Sequence, residues 1–73
     1  MRTVFTESIG EKYSQQQITR FFEAFLSLLA VQPNETLFVF KFASDNSEVW
    51  VIIDDYPEVE GGRTATLLLP EDY

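Results

Sequence analysis

Four carboxylates, Asp54, Asp55, Glu58 and Glu60, fall within seven residues and form the densest group of reactive side chains in the sequence. Paired carboxylates can serve as general acid and base, and several together can hold a hard cation such as calcium. Neither pattern is complete here. Asp54 and Asp55 are neighbours at the end of an apolar run that reads as a strand, so their side chains point to opposite faces and cannot share a proton. The spacing departs from the EF-hand loop, and the glycine at the sharp turn of that loop is missing. His and Cys are absent altogether. That removes the usual base at neutral pH, the Ser-His-Asp and Cys-His nucleophiles, and the preferred ligands of zinc, iron and haem. Gly10, Gly61 and Gly62 are the only glycines, and none belongs to a phosphate-binding glycine loop. The expectation is a protein without catalytic residues, cofactor or metal.

Placed on another protein, the same carboxylates become a recognition surface. Residues 1–41 hold four bases (Arg2, Lys12, Arg20, Lys41) and four acids (Glu7, Glu11, Glu23, Glu35), which cancel. Residues 42–73 hold eight acids against Arg63 alone, so the net charge of -7 lies entirely in that half. Such a field repels phosphate backbones and anionic lipid surfaces, which argues against direct binding of nucleic acid or membrane. It suits a basic protein, with Asp54, Asp55, Tyr56, Glu58 and Glu60 as the contact residues and Trp50 and Tyr56 as aromatic anchors. The competing reading is an acidic loop that only keeps a small protein soluble.

The elements that must position these residues begin with one helix. From Tyr13 to Val31, Ile18, Phe21, Phe22, Phe25 and Leu29 recur at helical spacing, with Ala24, Leu26 and Leu28 widening the stripe. Ser14 reads as the N-cap, Gln17 as its capping-box partner, and Tyr13 with Ile18 as a hydrophobic staple. Pro33 ends the helix by Gln32. The period then changes to two. Leu37 to Ala43 and Glu48 to Ile53 form a hairpin around Ser44-Asp45-Asn46-Ser47, and Arg63 to Leu69 adds a strand that Pro70 stops. Thr3 to Thr6 is suited to a first strand, with Gly10 breaking the run before the helix and Glu71-Asp72-Tyr73 left as a frayed tail. The fold class is therefore α+β, a single two-layer domain over residues 1–73. One amphipathic helix packs on a small antiparallel sheet of three or four strands, in the order β-α-β-β-β.

One helix covers one face of a sheet, yet these strands carry apolar side chains on both. The Phe38, Phe40, Phe42 row, being bulkiest, is expected under the helix. Leu37, Val39, Trp50 and Ile52 then lie on the far side, a larger bare patch than soluble monomers usually show. A chain of 73 residues without disulfides has packing and oligomerisation left as its staples. The far face thus predicts a homodimer, unless the N-terminal segment folds over it. The expected function is a small acidic non-enzymatic interaction or regulatory module, dimeric through that face. One alternative is a nucleic-acid mimic that inhibits a basic DNA- or RNA-binding protein. Another is a small-ligand carrier with a pocket among Phe21, Phe25, Phe38, Phe40 and Trp50.

Glu7, Glu11 and Lys12 interrupt the opening residues, which leaves neither a signal-peptide core nor a membrane span and makes a cytoplasmic location the expectation. The triplet Asn34-Glu35-Thr36 matches a glycosylation site, but with no secretory route it is read as a turn.

Overall fold

The computed structural model describes residues 1–55 and 62–73. Its elements run β1 (Arg2–Phe5), α1 (Glu7–Lys12), α2 (Gln15–Val31), β2 (Leu37–Lys41), β3 (Glu48–Asp55) and β4 (Arg63–Leu68), closed by a 3-10 turn at Pro70–Asp72. The four strands form one sheet in the order β1-β4-β3-β2. Both helices lie against a single face of it, so the α+β two-layer architecture holds.

The sheet is mixed rather than antiparallel, and the connections explain why. The helical layer carries the chain back to its starting end, so β2 runs the same way as β1. Two antiparallel turns later β4 again runs that way, and β1 docks beside it as a parallel neighbour, Arg2 opposite Thr64 through Phe5 opposite Leu67. The first strand is thus an edge strand, and β2 forms the other edge.

Helix α2 begins where its capping residues demand. The Ser14 hydroxyl accepts from the Gln17 N–H at 3.2 Å, and the Gln17 carboxamide accepts from the Ser14 N–H at 2.8 Å. Two otherwise unpaired donors are satisfied reciprocally. Phe25 is fully buried and meets Phe38 edge-on at 5.2 Å, while Phe21 tilts against Phe40 at 6.3 Å. The helix therefore lies on the phenylalanine row of β2, with Val49, Val51, Ile53, Ala65 and Leu67 completing the core floor. The stripe is narrower than the periodicity implies. Ala24, Leu26 and Leu28 are exposed, because a flat sheet touches only part of a helical cylinder and these positions fall outside that arc.

A second helix, α1, occupies residues expected to be a break. Thr6 caps it by accepting from the Ile9 N–H at 3.4 Å, and Ile9 enters the core fully buried. Gly10 does not end the run but permits a close approach: a Cβ there would lie 3.2 Å from the Phe5 ring. The tail is not frayed either. Asp72 accepts from Thr6 Oγ1 at 2.8 Å, Ser8 Oγ at 2.9 Å and the Leu69 N–H at 3.1 Å, which ties the last turn to the start of α1. In the β2-β3 hairpin Asn46 takes a positive φ of 60°, and Asp45 accepts from both the N–H and the hydroxyl of Ser47. These are the turn roles that Asn and Asp fill with little strain.

Candidate interaction surface

With Phe38, Phe40, Val49, Val51, Ile53 and Leu67 turned to the helices, alternation sends their neighbours to the far face. The register sorts those neighbours into rows. Val39, Trp50 and Leu68 form one row across β2, β3 and β4. Leu37, Ile52, Thr66 and Val4 form the next. The four residues expected at an oligomer interface, Leu37, Val39, Trp50 and Ile52, are therefore adjacent. Leu37 and Val39 keep 45 and 47% of their surface exposed, and Trp50 and Ile52 are half-buried.

The N-terminal segment does not cover this face. β1 extends the sheet sideways, and α1 inserts Ile9 into the helical layer. The covering that exists comes from the other terminus. After Leu69 the chain turns at Pro70, the 3-10 turn packs on β3, and the Tyr73 ring comes to 6.0 Å from Trp50. Leu68, on the same row, is buried, but it stands apart from the main core. Leu68, Val4 and Tyr73 are residues that strand parity alone did not assign to this surface. Fixing them requires the parallel docking of β1 and the clasp on Asp72. The triple-leucine run Leu67-Leu68-Leu69 fits either parity by composition.

Trp50 carries one polar atom, and it is satisfied on the spot. Its indole N–H donates to Glu48 Oε1 at 2.9 Å, two residues away on the same face. The ring can thus be covered by another apolar surface without stranding a donor. Lys41 lies directly opposite Glu48 and closes the patch with a charged row at that end. Asp54, opposite Thr64, marks the other end.

The acidic segment is a separate feature. Asp54 and Asp55 project from opposite faces of β3, and Asp55 forms an exposed ion pair with Arg63 at 3.2 Å. A surface pair of this kind contributes no more than about 1 kcal/mol. Tyr56, Glu58 and Glu60 lie outside the described residues. Trp50 does not sit beside Asp54 and Asp55: it is near the start of β3, roughly 17 Å along the strand from Asp55 at about 3.4 Å per residue. It belongs with the apolar face. Among the described residues no cluster of acidic side chains is arranged to hold a metal ion, and no helix is long and apolar enough to cross a membrane.

The rings that could have lined a ligand pocket fill their own space. Phe25 packs on Phe38 and Phe21 on Phe40, and Trp50 is on the other side of the sheet. An open cleft of about 430 Å³ does exist between β1, α1 and α2, lined by Phe5, Tyr13, Ile18 and Phe22, with Thr3, Gln15 and Thr19 as its polar members. Among the described residues it has no charged group to orient a ligand.

Two carboxylates sit below their ordinary pKa. Hydrogen bonds from the Thr6 hydroxyl, the Leu69 N–H and the Ser8 hydroxyl hold Asp72 down, and those from the Ser47 hydroxyl and N–H do the same for Asp45. Both belong to turns and stabilise chain geometry. Compared with protein-family models, with curated proteins and with solved structures, the chain matches none.

Proposed function

We propose that this protein is a small non-enzymatic interaction module that pairs with a second copy of itself through the far face of its sheet. The observation that carries the reading is the contiguous patch of Leu37, Val39, Trp50 and Ile52 on a face that neither helix covers. Apolar area left in water at this density is unfavourable, and association removes it. A two-fold pairing is the commonest way for one patch to cover itself. The satisfied indole N–H of Trp50 supports the same reading, since an aromatic anchor with no unpaired donor is what the centre of an interface requires.

Pairing would place two copies of the -7 charge in one particle and leave the acidic ends of both sheets at its periphery. There they would meet a basic protein partner, speeding encounter and setting specificity rather than supplying most of the affinity. The chemistry of that partner is cationic protein surface, not phosphate.

Val39→Glu tests the dimer. Val39 is about half exposed in the single chain, so the substitution changes monomer stability little, whereas a dimer would have to desolvate two unpaired carboxylates. Sedimentation velocity should show a folded monomer where the native protein sediments as a dimer. A variant that keeps the native dimer mass would remove this face from the interface.

A further inference from the structure

The geometry points to a specific symmetry for the self-association, an inference that rests on the dimer reading above: the two-fold axis runs along the strands between β2 and β3, and Lys41 of each copy meets Glu48 of the other. Leu37 is opposite Ile52, Val39 opposite Trp50, and Lys41 opposite Glu48, three successive pairs on the far face of one hairpin. A two-fold axis parallel to these strands and midway between them exchanges the two strands when the sheets face each other. Each residue then lies over the partner copy of its own cross-strand neighbour. Apolar meets apolar in two pairs, and the third sets a cation on an anion twice by symmetry.

The other simple orientation, an axis across the strands, reverses the rows. Centred on Val51, it would place the Glu48 end of β3 over the Asp54 end of the same strand in the other copy, acid on acid. The first arrangement is the one in which the Lys41 and Glu48 row bordering the patch meets opposite charge. Glu48 is already oriented for it: one carboxylate oxygen accepts from the Trp50 indole, which fixes the side chain over the face and leaves the second oxygen for an ammonium. Sheets packed face to face with strands in the same direction are the aligned class, with their mean directions within about 30° of each other.

A mixing experiment tests this without depending on whether either substitution perturbs its own chain. In Lys41→Glu the homodimer sets the introduced carboxylate against the partner copy's Glu48, and in Glu48→Lys it sets the introduced ammonium against the partner copy's Lys41. Both homodimers therefore carry like charges across the interface. The heterodimer of the two variants carries opposite charges at both contacts. Any loss confined to one chain, such as the missing indole acceptor in Glu48→Lys, scales with copy number and leaves the ratio [AB]²/[AA][BB] at its statistical value of about 4. Only coupling between chains moves it. If each of the four contact changes contributes about twofold, as exposed ion pairs do, the ratio rises to roughly 60 and the heterodimer to about 80% of the dimer.

The probe is the two purified variants mixed at equal concentration, one isotope-labelled, and read by native mass spectrometry, with the double exchange Lys41→Glu/Glu48→Lys as folding control. The expected result is a heterodimer well above half and a native-like double exchange. A statistical mixture, or a Glu48→Lys homodimer tighter than the native one, overturns the proposed axis, since the second outcome is what an introduced ammonium facing Asp54 across a transverse axis would give. A native protein that is monomeric throughout fails the dimer reading itself, before any exchange is made.

Discussion

Replacing Phe25 tests which face of the sheet the helix occupies. Its side chain is fully buried and meets Phe38 edge-on, in the same core cluster as Val51 of β3. Phe25→Ala removes a whole ring from a site that cannot collapse without moving α2, at a cost of about 3–5 kcal/mol. Part of that, about 0.5–1.5 kcal/mol, is the lost edge-to-face contact. A chain of 73 residues has roughly 4–11 kcal/mol of total stability, so Ala should leave the protein at or past the edge of folding. The graded variant Phe25→Leu keeps most of the apolar volume and should lose about 1–2 kcal/mol while remaining folded. Leu26→Ala is the control one residue away: its side chain is 51% exposed, and the loss should stay within about 0.5 kcal/mol. Urea unfolding followed by circular dichroism, at one fixed protein concentration so that association does not distort the comparison, gives all three values. Equal losses for Phe25→Leu and Leu26→Ala would refute the placement of α2 on the phenylalanine row.

Gly10→Ala should raise the melting temperature by an amount equivalent to several tenths of a kcal/mol. The helix gains a better helix former, and the Phe5 ring that a new Cβ would approach is half exposed and free to swing outward. A lower melting temperature would mean the Phe5 contact is rigid. Asp72 and Asp45 have folded pKa values below the usual 3.8, so each adds stability that is complete above that value and is lost as the pH falls through the folded one. Thermal melts should accordingly be level from pH 7 to about pH 5 and fall below pH 4. Asp72→Asn should melt lower than native at pH 7 and lose less on acidification, and parallel curves for the two proteins would exclude the clasp as the cause. Changing Asp54, Asp55, Glu58 and Glu60 to their amides should leave the fold intact and slow association with a cationic test protein, measured by stopped-flow fluorescence at low salt. Unchanged association would reduce the segment to a solubility device.

The helix and its first turn were legible because Ser14, Gln17 and the Ile18, Phe21, Phe25 spacing are local signals that local structure obeys. The hairpin was legible for the same reason, through Asp45 and Asn46. What the sequence hid depends on distant partners. α1 hides behind Gly10, a poor helix former that lies close against the Phe5 ring, although Thr6 followed by Glu7 and then Lys12 in the last turn was a readable cap-and-dipole pattern. The order of Glu71-Asp72-Tyr73 depends on hydroxyls more than sixty residues away, which no local pattern carries. For the surface, parity within β2 and β3 placed Leu37, Val39, Trp50 and Ile52 together. The second role read for Trp50, an anchor beside the acidic residues, does not hold for Asp54 and Asp55, which lie farther along β3.

The sheet face that the helices leave open is expected to pair with its own copy. Light scattering of the native protein across a dilution series measures this directly. Twice the 8.4 kDa chain mass, persisting through low micromolar concentration, is the predicted result, and the chain mass at every concentration would contradict it.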